Sequence, residues 1–198
     1  MSSQDVDLKK RRMLIAATAG LSAVGAGFAL VPFIKSMNPS ARAKAMGAPE
    51  EPDISKLEKG GLLRVKWRGK VTWVVRRGEK TLADLKANRD HLADPDSEQQ
   101  QQPEYCKNEF RSIKPEFLVA VGICTHLGCS PTYRPDVGAD DMGGDAWLGG
   151  VFCPCHGSKF DLAGRVSAGV PAPTHLVVPP HQYLSDTTIL FGKDGGAS

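Results

Sequence analysis

The chain has 198 residues, 41% of them hydrophobic, with 25 Lys and Arg against 22 Asp and Glu, for a formal net charge of +3. This is about one domain's worth of sequence once an apolar segment is set aside, enough for a modest core. Residues 1–50 hold seven Lys/Arg and three Asp/Glu and the remainder eighteen and nineteen, so the larger part is close to neutral and is not a basic nucleic-acid binder.

The basic run Lys9-Lys10-Arg11-Arg12 is followed by 22 residues, Met13 to Ile34, without a charged side chain. At about 1.5 Å per residue such a run matches the apolar thickness of a bilayer. It predicts a single transmembrane anchor over 13–35 behind a basic N-terminus, 1–12. The positive charge before the span, against Lys35, Arg42 and Lys44 beyond it, places the N-terminus in the cytoplasm of a bacterial cell and everything after the span in the periplasm. Arg11-Arg12 before Met13-Leu14 also resembles a twin-arginine export signal, which passes domains already folded. The competing reading is a cleaved signal peptide with Ala41-Arg42-Ala43 or Ala43-Lys44-Ala45 as its processing site, although the apolar run is longer than such peptides carry.

Residues 36–53, small and broken by Pro39, Gly47, Pro49 and Pro52, read as a flexible tether, and 54–198 as the folded head. Leu62–Trp67 and Val71–Arg76 flank Arg68-Gly69-Lys70 and predict a hairpin. Thr81–Lys86 has a capping Thr and one apolar face and predicts a short helix, and His91–Glu104 a polar loop. Strands are expected at Phe117–Ile123, Ala146–Phe152 and Thr187–Phe191. The fold class is mainly β: one N-terminal transmembrane helix, a tether, then an all-β head of antiparallel sheets with a short helix.

Chemistry concentrates in two blocks, Cys124-Thr125-His126-Leu127-Gly128-Cys129 and Cys153-Pro154-Cys155-His156-Gly157-Ser158. Each offers a Cys and a His at metal-ligand spacing, plus one further Cys. Two thiolates and two imidazoles suit tetrahedral zinc, or a [2Fe-2S] cluster in which His replaces Cys on one iron. Zinc would leave two idle thiols, whereas two loops clamped around a cluster gain from a covalent staple.

Both blocks resemble the paired cluster-binding loops of the Rieske iron-sulfur proteins of quinol:cytochrome c oxidoreductases, the respiratory cytochrome bc complexes. The basic N-terminus, the single span, the Ala-rich tether and Gly169-Val170-Pro171-Ala172-Pro173 follow in that family's order, and the insert from Ser130 to Val151 matches least. The resemblance implies a Rieske-type head with one [2Fe-2S] cluster, Cys124 and Cys153 on one iron, His126 and His156 on the other, and a Cys129–Cys155 disulfide. It implies an electron-transfer subunit of a ubiquinol:cytochrome c reductase, a translocase. A ligand histidine, His156 foremost with His126 beside it, would take a proton from ubiquinol as the cluster takes an electron, and the electron would pass to a c-type cytochrome. Cytochrome b, the c-type cytochrome, ubiquinol and the lipid bilayer are the implied partners, and the tether would be a hinge. Imidazole ligation predicts reduction coupled to protonation and a potential of about −150 to +300 mV, against about −400 mV for plant-type ferredoxins. Two alternatives use similar blocks: a Rieske small subunit of another periplasmic oxidoreductase such as arsenite oxidase, or a Rieske ferredoxin. A structural zinc module is the third.

By the same resemblance Leu127 sits beside the ligands and contacts the quinol-site subunit, Ser158 donates to a bridging sulfide, and residues 169–173 form a stiff loop over the cluster. Cys106 is left over and reads as a partly buried spectator, and His91, His175 and His181 as surface or packing residues. Position 160 departs from the family's common Tyr. Phe160 has no hydroxyl to give to a ligand sulfur, which implies a potential below that of a Tyr-bearing relative. Phe160→Tyr is therefore expected to raise the midpoint potential in an EPR-monitored redox titration, and an unchanged or lower midpoint would contradict the reading.

Overall fold

A computed structural model describes residues 7–193, which divide into two compact units between Ala45 and Met46. In the first, α1 (Leu8–Ser36) is a single helix of 29 residues. The Asp7 carboxylate caps it by accepting the Lys9 and Lys10 backbone N–H groups at 3.0 and 3.1 Å. The helix therefore runs through the basic run as well as the apolar one, and it is long and apolar enough to cross a membrane. A second helix, α2 (Ala41–Met46), occupies part of the expected tether.

The head is built from antiparallel pairs. β1 (Leu62–Trp67) and β2 (Lys70–Arg76) form the expected hairpin, closed two-residue style by Arg68 and Gly69, both at positive φ (49° and 73°). After α3 (Glu79–Ala87), β3 (Phe117–Val121) returns to pair with β2, completing the sheet order β1-β2-β3. A second sheet has the order β4 (Thr132–Arg134), β5 (Gly150–Cys153), β6 (Ser158–Asp161). β7 (His181–Tyr183) and β8 (Ile189–Phe191) form a last hairpin.

Several elements are shorter than the sequence suggests. The strand expected from Ala146 starts at Gly150, because Gly144–Ala146 is a 3-10 turn and Gly149 sits at φ +83° with the Pro135 carbonyl where a side chain would go. β3 ends at Val121, and β8 begins at Ile189. Chain expected to be tether is also engaged. Beside β8, Phe191 N–H donates to Glu50 O (2.8 Å), Ile189 N–H to Pro52 O (3.2 Å) and Ile54 N–H to Thr187 O (2.8 Å), while the Trp67 indole donates to Ala48 O (3.2 Å). Pro52 only accepts, as a proline at a sheet edge must.

The first sheet is buried on both faces by strict alternation. Trp73, Val75, Leu118 and Ala120 face a core that also contains Cys124, Cys153, Phe160 and Leu176. Val74, Phe117 and Val119 face the other side, with Ile54, Trp67, Ile189 and Phe191. Each large apolar side chain buried here contributes roughly 1.5–3 kcal/mol. Gly122, just past β3, lets the Trp73 indole lie directly against the backbone: a Cβ there would sit 2.4 Å from the ring. Gly122→Ala is therefore expected to destabilise the head by about 1–3 kcal/mol, read as a lower midpoint of thermal unfolding by circular dichroism; a midpoint equal to wild type would refute the contact.

Candidate metal centre

The two cysteine blocks are built alike. Block one follows β3, and block two joins β5 to β6. In each, a glycine at positive φ turns the chain, and its N–H closes on the carbonyl of the cysteine four residues earlier: Gly128 to Cys124 O at 3.0 Å and Gly157 to Cys153 O at 2.9 Å. Cys129 and Cys155, the second cysteine of each block, are joined by a disulfide. Cys124 and Cys153 are free thiols, 2% and 1% exposed, that reach one another as hydrogen-bonding partners. The Cys153 sulfur also lies within 4.8 Å of both disulfide sulfurs, which are bonded and so cannot act as thiolates.

From the same two blocks, the His126 and His156 rings stand edge to face with centroids 4.8 Å apart. His156 is exposed. His126 is half-buried, and its Nδ1 is buried without a hydrogen-bond partner, which is costly for a polar atom unless something binds it. Burial pushes the Cys124 thiol up; the His126 backbone N–H pulls the other way, and the neighbouring Cys153 adds to the rise. The buried Cys124 thiol therefore resists ionisation until a cation supplies the opposite charge.

Both blocks are tied to a third segment. The Thr125 hydroxyl donates to Thr174 O at 2.6 Å, and the Ala172 N–H donates to Ser158 Oγ at 3.1 Å. Ser158 and Phe160, on the same face of β6, are both fully buried, and Leu127 is 71% exposed at the end of block one. The Asp161 carboxylate accepts the backbone N–H groups of Ala163 and Arg165 and pairs with the Arg165 guanidinium at 2.7 Å, fixing the turn after β6.

Sequence reasoning missed the ties below the blocks. Arg77, Arg111 and Arg165 are buried, although arginine is normally a surface residue and nothing in their spacing marks them. Cys106 is fully rather than partly buried, and burial lifts its thiol to about 11. His175 and His181 lie in the interior; His181 Nδ1 is 2.8 Å from Pro179 O. At His175 the Val166 N–H donates to Nδ1, so the proton resides on Nε2, which donates to Asp94 O; both distances are 2.9 Å.

Residues 52–180 match the Rieske [2Fe-2S] domain family, which makes the head a Rieske domain, a class that holds one [2Fe-2S] cluster. Residues 1–40 match the family described as "Ubiquitinol-cytochrome C reductase Fe-S subunit TAT signal". The ubiquinol-cytochrome c reductase iron-sulfur subunit of Allochromatium vinosum is 66% identical over 100% of this chain and 95% of its own length. The subunits of that name from Bradyrhizobium diazoefficiens (40% identical, 92% of this chain, 94% of that one) and Rhodospirillum rubrum (42%, 92% and 91%) are also similar. The chain belongs to the family of ubiquinol-cytochrome c reductase iron-sulfur subunits. The donor set suits the cluster in kind: two buried free thiols, two imidazoles packed edge to face on one another, and a buried ring nitrogen of His126 with no hydrogen-bond partner.

His175 gives a pH test. Burial first, and the Arg111 charge second, push its imidazole from 6.5 down to about 4; the nearby Asp94 and Asp161 carboxylates oppose the shift. The unfolded chain therefore binds this proton more readily than the folded one, so the stability from the neutral ring is complete above about pH 6.5 and is lost as pH falls towards 4. Thermal unfolding measured from pH 7 to 4 is expected to show a falling midpoint in wild type that is shallower in His175→Gln; parallel curves would exclude this source of acid sensitivity.

Proposed function

We propose that Cys124 and Cys153 are the thiolate ligands of one iron and His126 and His156 the imidazole ligands of the other, and that the chain carries single electrons from ubiquinol to a c-type cytochrome. When bound, the cluster supplies a one-electron acceptor whose imidazole ligation places it at about −150 to +300 mV. His126 ligates through Nδ1, the buried unpartnered atom, leaving Nε2 for the outside. His156, the more exposed ring, hydrogen-bonds a quinol hydroxyl and accepts its proton on the outward nitrogen as the electron leaves the quinol. Leu127 presents an apolar surface beside that contact, suited to a hydrophobic quinol pocket in a cytochrome b subunit. Ser158, held by the Ala172 N–H as acceptor, keeps its own hydroxyl proton free to donate inward.

The same reading gives α1 the role of a single-pass anchor, 13–35 forming its span in the bacterial inner membrane. Lys9 to Arg12 stay on the cytoplasmic side and the head faces the periplasm, where the Cys129–Cys155 bond is stable. Residues 1–12 are the cytoplasmic arm, 36–53 the tether and 54–198 the cluster-bearing head. The tether lets the head visit the quinol site and the cytochrome in turn.

The observation that carries the proposal is that the two blocks, joined by a disulfide, hold a pair of buried free thiols and a pair of edge-to-face imidazoles. The complex purified from membranes is expected to contain a b-type and a c-type cytochrome, two irons per copy of this chain and a low-temperature EPR signal on reduction. His156→Ala is expected to lose that signal and to lower ubiquinol-driven cytochrome c reduction by at least about 10²-fold. An iron-free chain, or full quinol turnover in His156→Ala, would refute the proposal.

A further inference from the structure

The interior beneath the cysteine blocks holds an excess of positive charge. Arg77, Arg111 and Arg165 are each 1% exposed or less, and Asp161 is already committed to Arg165 by a 2.7 Å ion pair. Among the described residues neither Arg77 nor Arg111 forms an ion pair with a carboxylate. Arg111 is held by neutral acceptors: the carbonyls of Ala163 (3.1 Å), Gly164 (3.2 Å), Leu176 (2.8 Å) and Gln101 (3.4 Å), and the Gln102 side-chain oxygen, which takes Nε at 3.0 Å and Nη2 at 2.8 Å. Arg77 is likewise held by the carbonyls of Phe110, Leu162 and Pro115 and by the Ser112 hydroxyl. Asp161 acts on both Arg77 and Arg111 through space while pairing directly with Arg165, and Asp94, at the rim, acts on Arg111 more weakly still.

Carbonyls and an amide solvate a cation without cancelling its charge, and a dry interior screens that charge poorly. We propose that Arg111, and more weakly Arg77, raise the reduction potential of the cluster by the field of their unneutralised charge. An added electron is stabilised by a nearby buried cation, so reduction becomes easier. The proposal rests on Cys124 and Cys153 being the thiolate ligands.

Arg111 is the nearer of the two by contact. Leu176, whose carbonyl it holds, packs in the same core as Cys124, Cys153 and Phe160. Gly164, whose carbonyl it also holds, has no side chain, and a Cβ there would come within 3.2 Å of Arg111 Nη1 and 3.3 Å of Leu176. Both arginines touch the separate cluster of Leu85, Leu162 and Ala163, Arg77 through Leu162 O and Arg111 through Ala163 O, but only Arg111 also holds a residue of the cysteine core. Both guanidinium groups remain charged at neutral pH although burial lowers them to about 10, and the Arg111 field already depresses His175. The function of these residues is therefore electrostatic as well as architectural, and the two contributions separate by experiment.

The test is an EPR-monitored redox titration of the membrane complex carrying Arg111→Lys, Arg111→Met, Arg77→Met or Gln102→Glu, with thermal unfolding recorded for each. Arg111→Lys keeps the charge and loses the fork, so its potential is expected to stay near wild type although its unfolding midpoint falls. Arg111→Met loses both, and the potential is expected to fall, changing the reduced-to-oxidised ratio at fixed ambient potential by roughly tenfold for a charge about one packed layer away. Arg77→Met is expected to shift less. Should Arg111→Met fail to accumulate, Gln102→Glu places a carboxylate against a retained cation and is expected to lower the potential as well. Equal shifts in Arg111→Lys and Arg111→Met, or an unmoved potential in Gln102→Glu, would overturn the proposal. Retention of the EPR signal in Cys124→Ser or Cys153→Ser would instead overturn the ligand assignment on which it rests.

Discussion

One covalent bond, Cys129 to Cys155, is the constraint on which the geometry of the two blocks depends. Otherwise the blocks are closed on themselves, by Gly128 N–H to Cys124 O and Cys124 N–H to Cys129 O in one and Gly157 N–H to Cys153 O in the other, and none of these hydrogen bonds crosses to the other block. The ladder between β4 and β5 ends at Thr132 opposite Phe152. Cys129 stands three residues before Thr132 and Cys155 three after Phe152, so the disulfide continues the same antiparallel register beyond the point where backbone pairing stops. Closing a loop of sequence separation 26 removes about 3–4 kcal/mol of chain entropy from the unfolded state. It therefore stabilises the fold and holds the two blocks, with their thiols and imidazoles, together.

The blocks also need a floor that does not yield. The first sheet supplies it, because both of its faces are buried and neither can relax towards solvent without emptying a core. Thr125 and Ser158 bind the segment 172–174, and just after it His175 is held by Val166 N and Asp94 O and Leu176 O by Arg111. Three loops that share no ladder are thereby fixed through side-chain hydrogen bonds. Such bonds are strong in a dry interior and costly to leave unmade.

The sequence shows most clearly what is local. The hairpin 62–76 was legible because alternation and Arg68-Gly69 sit within a few residues, and the two blocks because Cys, His and Gly fall within six. Phe117–Val121 was legible from its unbroken apolar run. The strands β4, β6 and β7 were not, being three or four residues long, too short for a period to show. Buried Arg77 and Arg111 were illegible for a different reason. Their partners are backbone carbonyls as far as 85 residues away, and a carbonyl leaves no mark in the sequence. Residues 48–53 read as tether because Pro49 and Pro52 mark irregular chain, yet an edge segment that only accepts at Pro52 tolerates that residue.

That bridged edge segment decides where force along the chain is delivered. Ala48, Glu50, Pro52 and Ile54 are bonded to Trp67 and to the β8 region, and Trp67, Ile54 and Phe191 belong to the core on one face of the first sheet. Cys124 and Cys153 belong to the core on the other face. A pull from the membrane side therefore loads β8 and Trp67, and a close-packed sheet lies between that load and the blocks. Before Ala48 lies α2, six residues long, shorter than a helix that holds by itself in water. Its passage between helix and extended chain changes the reach by roughly 10 Å at small cost. In the proposed reading the length change is confined to α2 and its neighbours, and the head travels between its partners without disturbing the thiols and imidazoles it carries.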